Sequence, residues 1–301
     1  MAMLIIFKRV SLCCFDEACF SLLPLAQREN IDYNSHKYIQ KQDKGVTCHM
    51  CYDDNARPPL PPSEAGAAHG EDIVLETADG NRFAAYAAHP GKPTGAQILI
   101  YPDVRGLHQF YKELALRFAE IGITAVAIDY FGRTAGIGSR DDSFEYMPHV
   151  QQIRLETFFA DVAAALAYLR SGEGAHRSTF TVGFCMGGTL SFLSGTQDFG
   201  FAGVIGFYAG VTRDFGGRGT LLEQAHKIRY PVLGLFGGAD PNIPISAVQR
   251  FDEVLDEAGV EHEMVIYPGA PHSFFDRRAV EFADVSADAW QHVLSFIAAH
   301  T

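Results

Sequence analysis

From residue 71 onward, short apolar runs alternate with longer amphipathic segments. A short apolar run bounded by turn residues predicts a buried strand, whereas apolar residues that recur every three or four positions predict a helix. The predicted strands comprise residues 97–101, 124–128, 180–182, 203–207, 232–236 and 263–267. The predicted helices lie near residues 109–121, 152–171, 187–195, 245–258 and 279–299. This alternation predicts an α/β fold in which helices cover both faces of a mainly parallel central sheet.

The segment that precedes this alternation predicts an N-terminal β-hairpin. Two strand-like runs, residues 72–76 and 82–86, flank the sequence Asp79-Gly80-Asn81. Because Asp-Gly and Gly-Asn pairs favour tight turns, we expect the two runs to pair with each other.

The first 70 residues have a different character from the rest of the chain. They lack sustained periodicity and end in a proline-rich segment, residues 57–62, followed by an alanine-rich one. Such composition is typical of a linker. We predict a poorly ordered extension and Pro/Ala-rich linker over residues 1–70 and one domain over residues 71–301. No ligand pair of zinc-site spacing accompanies Cys48 and Cys51, so we predict no metal site.

The net charge of −12 restricts the partners of this chain. Nucleic acids and anionic membranes are bound by basic surfaces, so we expect neither as a partner. No apolar run reaches the length of a membrane span, and the N-terminus lacks the order of a secretory signal. These features favour a cytoplasmic protein that acts on a small molecule, and they leave its oligomeric state open.

The cysteines are distributed unevenly along the chain. Five of the six lie within the first 51 residues, and Cys185 is alone in the remainder. This distribution excludes a disulfide framework for the main domain. A lone cysteine in a chain of intracellular character, with histidine and aspartate elsewhere, is typical of a catalytic thiol.

Cys185 lies at a predicted strand-to-helix turn, in the sequence Gly183-Phe-Cys-Met-Gly187. Glycines two residues before and after a nucleophile are typical of a nucleophile elbow, because a side chain at those positions would collide with the backbone. The following helix directs its positive end toward the sulfur, which favours a thiolate. The motif therefore predicts a cysteine nucleophile, although a buried structural cysteine would fit the same short pattern.

Two loops after later strands carry the groups that such a nucleophile needs. Asp240 follows the strand that ends at Phe236, and His272 follows the strand that ends at Tyr267. The order nucleophile, acid, histidine is that of α/β hydrolases. We predict that His272 is the general base and that Asp240 orients its imidazole. The backbone N–H groups of Met186 and Val104 are the predicted oxyanion hole.

These motifs together resemble the dienelactone hydrolase family. The similarity rests on the Cys185 motif, the Gly-Gly-Ala-Asp loop around Asp240, and the Pro-His-Ser-Phe-Phe sequence around His272, and it covers residues 71–301. It implies an α/β-hydrolase fold, a Cys-His-Asp triad and hydrolysis of small lactones or activated carboxylic esters through a thioester intermediate. It implies no cofactor.

The chain differs from the family pattern at two positions. A glutamate of the family prototype that ionises the thiol corresponds here to Asp103, which we predict either to activate the thiol or to order its loop. An arginine that grips the substrate carboxylate corresponds to Asp276. Candidate replacements for the anion contact are Arg105, Arg133 and Arg140. Tyr130 is a further candidate for the substrate pocket, or it packs the loop against the sheet.

Two other functions remain compatible with the sequence. Cys185 could be a redox thiol with the N-terminal cysteines as resolving partners. Alternatively, the chain could be a small-molecule-binding protein that keeps this fold without catalysis.

Overall fold

The computed structural model describes residues 56–63 and 65–301. These residues contain one eight-stranded sheet whose strand order is β1-β2-β4-β3-β5-β6-β7-β8. The strands are β1 Ala68–Glu76, β2 Arg82–Pro90, β3 Ala96–Tyr101, β4 Thr124–Ile128, β5 Ser178–Phe184, β6 Gly203–Phe207, β7 Val232–Gly237 and β8 His262–Tyr267. The helices are α1 Gln109–Glu120, α2 Gly132–Ala135, α3 Met147–Val150, α4 Leu155–Leu169, α5 Met186–Ser194, α6 Leu221–Gln224, α7 Ile245–Ala258 and α8 Ala283–Ala299.

The pairing of the strands confirms the predicted fold class. β1 and β2 form an antiparallel hairpin, β2 pairs antiparallel with β4, and all other neighbouring strands are parallel. Strands β3, β4, β6 and β7 are buried at every residue. Full burial explains why these strands appear in the sequence as continuous apolar runs rather than as alternating patterns.

Two glycines of β6 show that helices cover both faces of the sheet. A Cβ at Gly203 would lie 2.5 Å from Phe296 of α8, and one at Gly206 would lie 2.4 Å from Phe192 of α5. Residues three apart on a strand point to opposite faces, so α8 and α5 lie on opposite sides of the sheet. Phe118 of α1 contacts Trp290 of α8 with ring centroids 4.8 Å apart, which places α1 on the α8 side.

The proline-rich stretch before β1 packs against this domain where it is described. Trp290 Nε1 donates a hydrogen bond of 3.0 Å to the Pro59 carbonyl, and Arg57 Nε lies 3.1 Å from a carboxylate oxygen of Glu113. The first strand begins at Ala68, three residues before the predicted domain boundary. Residues 1–55, with Cys48 and Cys51, lie outside the described residues, so the division at residue 70 stays a prediction.

No helix among residues 56–63 and 65–301 combines the length and the apolarity that crossing a membrane requires.

Candidate active site

Cys185 occupies a sharp turn between β5 and α5. Its backbone angles are φ 55° and ψ −116°, in a region that residues other than glycine rarely adopt. The Cys185 N–H donates a 3.0 Å hydrogen bond to the Phe207 carbonyl at the end of β6, which anchors the turn to the sheet. Such strain at one residue persists only where the surrounding structure enforces it, and it is characteristic of functional sites.

The glycines on either side of the cysteine allow two close backbone contacts. A Cβ at Gly183 would lie 1.9 Å from the Gly187 carbonyl oxygen, and a Cβ at Gly187 would lie 2.1 Å from the Pro102 carbonyl oxygen. Both distances are far below van der Waals contact, so neither position tolerates a side chain without a backbone shift. The structure therefore agrees with the prediction that a side chain at either position would collide with the backbone.

Asp240 and His272 meet at the same edge of the sheet, at the carboxyl ends of β7 and β8. Oδ2 of Asp240 lies 2.5 Å from Nδ1 of His272. The Asp240 side chain is 1% exposed, and its other oxygen accepts a 2.8 Å hydrogen bond from the backbone N–H of Asn242. A buried carboxylate held in this way fixes the imidazole with Nδ1 protonated, which leaves Nε2 available to accept a proton.

His272 is also linked to Cys185. Burial on its own would lower the pKa of His272, but hydrogen bonds with Asp240 and with Cys185, together with the charges on these two groups, raise the pKa to about 10. The structure thus brings together the three residues that the sequence predicts as a triad. Cys185 is half-buried and is a free thiol.

Tyr208 is a member of this site that the sequence analysis missed. It directly follows β6, has a φ of 37°, and places its ring centroid 4.8 Å from that of His272. Its hydroxyl donates a 2.6 Å hydrogen bond to Oδ2 of Asp276. The signal for it was its position, because groups that follow parallel strands gather at the edge where Cys185 lies.

The two predicted oxyanion donors lie at the start of α5 and in the loop after β3. Met186 is the first residue of α5, so its N–H has no acceptor within the helix. Val104 lies in the turn closed by a 3.1 Å hydrogen bond from Gly106 N to the Asp103 carbonyl. The Tyr130 hydroxyl donates to the carbonyls of Pro102 and Asp103 and so helps to hold this loop in place.

Asp103 makes the contact expected of a loop-ordering residue. Its Oδ1 accepts a 2.9 Å hydrogen bond from the Arg105 N–H, and its own N–H donates to the Tyr111 hydroxyl at 3.0 Å. Burial of the carboxyl, followed by the charge of Asp276, raises the pKa of Asp103 to about 7, against smaller opposing effects of Arg105 and His272. Its predicted alternative role, activation of the thiol, stays a prediction.

The three arginines considered for substrate binding are all engaged by carboxylates. Arg105 is 2.6 Å from Asp142, and Arg133 contacts Asp79 at 2.7 Å and Asp161 at 3.0 Å. Each guanidinium would have to leave or share its carboxylate to hold a substrate anion, and a role for any of them in substrate binding stays a prediction.

Arg140, the third of these arginines, forms a fully buried pair with Asp129 at 2.8 Å. It also lines a cleft of about 540 Å³ together with His108, Lys112 and residues of β1. Cys185, Asp240 and His272 are not among the residues lining that cleft.

One group of side chains among the described residues has the spacing of a metal site. The ligand atoms of Asp252, Asp256 and His262 lie within 4.8 Å of one another. His262 opens β8, so this group lies at the amino end of the strands, at the edge opposite to Cys185. His262 Nε2 lies 3.1 Å from Asp252, and its Nδ1 lies 2.7 Å from the Val260 carbonyl oxygen. Both ring nitrogens therefore have hydrogen-bond partners within the protein.

The mostly parallel sheet and the elbow, with an acid and a histidine from two later loops, define an α/β-hydrolase fold. The sequence profile of the Dienelactone hydrolase family matches residues 83–301. The chain therefore belongs to the dienelactone hydrolase family, and it is a hydrolase of lactone or ester substrates.

Individual proteins show the same relationship. A candidate carboxymethylenebutenolidase of Methylorubrum extorquens is 27% identical over 225 residues, covering 69% of this chain and 74% of that protein. One of Saccharolobus solfataricus is 28% identical over 269 residues, covering 75% and 98%. The crystal structure of a candidate dienelactone hydrolase from Klebsiella pneumoniae has a TM-score of 0.68 at 24% identity, covering 77% of this chain and 99% of that one. A dienelactone hydrolase-like promiscuous phosphotriesterase from metagenomic libraries has a TM-score of 0.61 at 20% identity, covering 78% and 99%.

Proposed function

We propose that this protein hydrolyses small lactones or activated carboxylic esters through a thioester on Cys185. The observation that carries the proposal is the arrangement of His272, which bonds Asp240 at 2.5 Å on one side and Cys185 on the other. This arrangement gives the imidazole a fixed tautomer and a path for the thiol proton. The relatives named as carboxymethylenebutenolidases support the same reaction class.

In the first half of the reaction, the Cys185 thiol gives its proton to Nε2 of His272, and the resulting thiolate attacks the carbonyl carbon of the substrate. The carbonyl oxygen becomes an oxyanion that accepts hydrogen bonds from the N–H groups of Val104 and Met186. When the tetrahedral intermediate collapses, the C–O bond breaks and His272 gives its proton to the departing alkoxide or enolate. A thioester remains on Cys185. With a lactone, the leaving group stays attached to the acyl chain.

In the second half, water replaces the leaving group. The imidazole of His272 takes a proton from water as the water oxygen attacks the thioester carbon, and the same two N–H groups stabilise the second oxyanion. Breakage of the C–S bond releases the carboxylic acid and regenerates the thiolate beside the protonated imidazole. Asp240 stabilises the imidazolium each time it forms.

The experiment is a panel of small lactones and p-nitrophenyl esters assayed with the wild type and with Cys185→Ala, Cys185→Ser and His272→Ala. We expect both alanine variants to lose turnover by roughly three orders of magnitude or more. Intact-mass spectrometry of the wild type quenched during turnover is expected to show an acyl adduct, which peptide mapping assigns to Cys185. Circular dichroism checks that each variant is folded.

Folded Cys185→Ala protein that retains wild-type turnover would contradict the proposal. An adduct on another residue would also contradict it, because the nucleophile would then lie elsewhere.

A further inference from the structure

Two buried carboxyl groups lie beside the triad in addition to Asp240. Asp276 is 3% exposed and Asp103 is 8% exposed. Asp276 lies in the segment that follows His272, and it accepts the hydrogen bond of Tyr208, whose ring packs against the His272 imidazole. Asp103 lies in the loop whose next residue, Val104, is a proposed oxyanion donor. Both acids are therefore neighbours of groups in the proposed site, Asp276 through Tyr208 and Asp103 through the next residue of the chain.

The two acids are close enough to act on each other. Burial is the main cause of the raised pKa of Asp103, and the negative charge of Asp276 is the second. Charges that are withdrawn from water are screened much less than surface charges. A charge on Asp276 would therefore be weakened little by solvent or salt.

The cations near these acids are already engaged. Arg105 and His272 are the two cations that act on Asp103. Arg105 is 2.6 Å from Asp142, and His272 is bonded to Asp240. Each of these two cations thus has a carboxylate partner other than Asp103 and Asp276. Asp276 therefore adds a further buried carboxyl to this site.

We propose that Asp276 selects the substrate by charge: the site hydrolyses lactones and esters with an uncharged or cationic acyl part and rejects those that carry a carboxylate. This inference rests on the proposed hydrolysis by Cys185. The physical reason is that a substrate carboxylate would be desolvated beside a buried like charge, which costs binding free energy in both the ground state and the transition state. The relatives are named for a butenolide that carries a carboxymethylene group. This group is a carboxylic acid, so it is the kind of substituent that we expect the present site to reject.

The test uses three p-nitrophenyl esters that differ in the end of the acyl chain. The acyl groups are hexanoyl, the adipic monoester with a terminal carboxylate, and a pentanoyl chain that ends in trimethylammonium. For the wild type we expect kcat/KM for the carboxylate ester to be about tenfold or more below that for the hexanoyl ester, as a like charge at short range predicts. The trimethylammonium ester is expected to equal or exceed the hexanoyl ester.

The matched variants are Asp276→Asn and Glu281→Gln. Both remove one carboxylate from the same segment, but the Glu281 side chain is 59% exposed and pairs with Arg278 at 2.6 Å on the surface. We expect Asp276→Asn to reduce the discrimination against the carboxylate ester by about fivefold or more. Glu281→Gln is expected to keep the wild-type ratio.

Each result decides the proposal. If the wild type hydrolyses the carboxylate ester as well as the hexanoyl ester, the proposal is wrong, and this measurement needs no variant to fold. It is also wrong if folded Asp276→Asn keeps the wild-type ratio. A failure of the proposed function would be distinct, because Cys185→Ala would then hydrolyse the hexanoyl ester at the wild-type rate.

Discussion

Nδ1 of His272 lies 2.5 Å from Oδ2 of Asp240, although 32 positions separate the two residues in the chain. The contact exists because β7 and β8 are parallel neighbours, so the loops that follow them leave the sheet at the same edge. Asp240 is buried, and the imidazole is therefore held by a carboxylate that water does not screen.

Replacement of Asp240 by Asn is expected to lower kcat strongly while the fold is retained. An amide at this position can stabilise the wrong imidazole tautomer and supplies no charge for the imidazolium, and a loss of about two to four orders of magnitude is typical of such a change. The measurement is kcat and kcat/KM over a pH series. Asp252→Asn is the matched control, because Asp252 bonds His262 at 3.1 Å away from the site. Equal losses in the two variants would contradict an orienting role for Asp240.

Gly187→Ala is expected to destabilise the domain and to abolish activity. Its Cβ would lie 2.1 Å from the Pro102 carbonyl and 2.2 Å from the Tyr101 carbonyl, so the elbow and the loop after β3 would have to separate. We expect a loss of roughly 3 kcal/mol or more in the free energy of unfolding, measured by urea denaturation. Gly138→Ala is the control, because its nearest neighbour would be 3.5 Å away. A variant as stable and active as Gly138→Ala would disprove the steric role of Gly187.

Arg140→Met is expected to be strongly destabilising. The guanidinium lies 2.8 Å from Asp129, and both side chains are almost fully buried. Removal of the arginine leaves a carboxylate uncompensated in the interior, which costs roughly 3 to 5 kcal/mol. Thermal and urea denaturation measure this loss. The surface residue Arg250, which pairs with Glu253 and Glu257, offers the comparison, since Arg250→Met is expected to change the stability by less than about 0.5 kcal/mol. If the two substitutions change the free energy of unfolding by similar amounts, the buried pair contributes no more to stability than the surface pair.

Asp103 predicts a pH dependence of stability. Its pKa is raised from 3.8 to about 7 in the folded protein, so between these values the folded chain holds a proton that the unfolded chain has released. The free energy of unfolding therefore falls as the pH rises through this window. Asp103→Asn lacks this loss, and we expect its stability relative to the wild type to increase by on the order of 2 kcal/mol between pH 5 and pH 8. Urea denaturation at several pH values measures the difference.

The control for this pH series is Asp256→Asn, because the Asp256 side chain is 78% exposed. Its stability relative to the wild type is expected to stay constant over the same range. If Asp103→Asn behaves in the same way, the carboxyl of Asp103 does not carry the raised pKa in the folded protein.

Local pattern was sufficient for much of the architecture. Helix α7 spans Ile245–Ala258 as predicted, since its apolar spacing and the following Gly259, with a φ of 67°, mark both its face and its end. The last helix begins at Ala283 rather than near residue 279, because residues before it form turns that carry Asp276 into the interior. The apolar spacing alone does not show where this helix begins.

Local sequence predicted the identity and the order of the three residues that we propose to react. Gly183 and Gly187 require a close backbone turn around Cys185, and the runs before Asp240 and His272 place each of these residues after a buried strand. The surroundings of these three residues depend on contacts between distant parts of the chain. The pairing of Arg105 with Asp142 and the convergence of Asp103, Asp276 and Tyr208 join residues from separate loops. Distances between such loops are set by sheet order and by burial in the folded chain, and no local spacing encodes them.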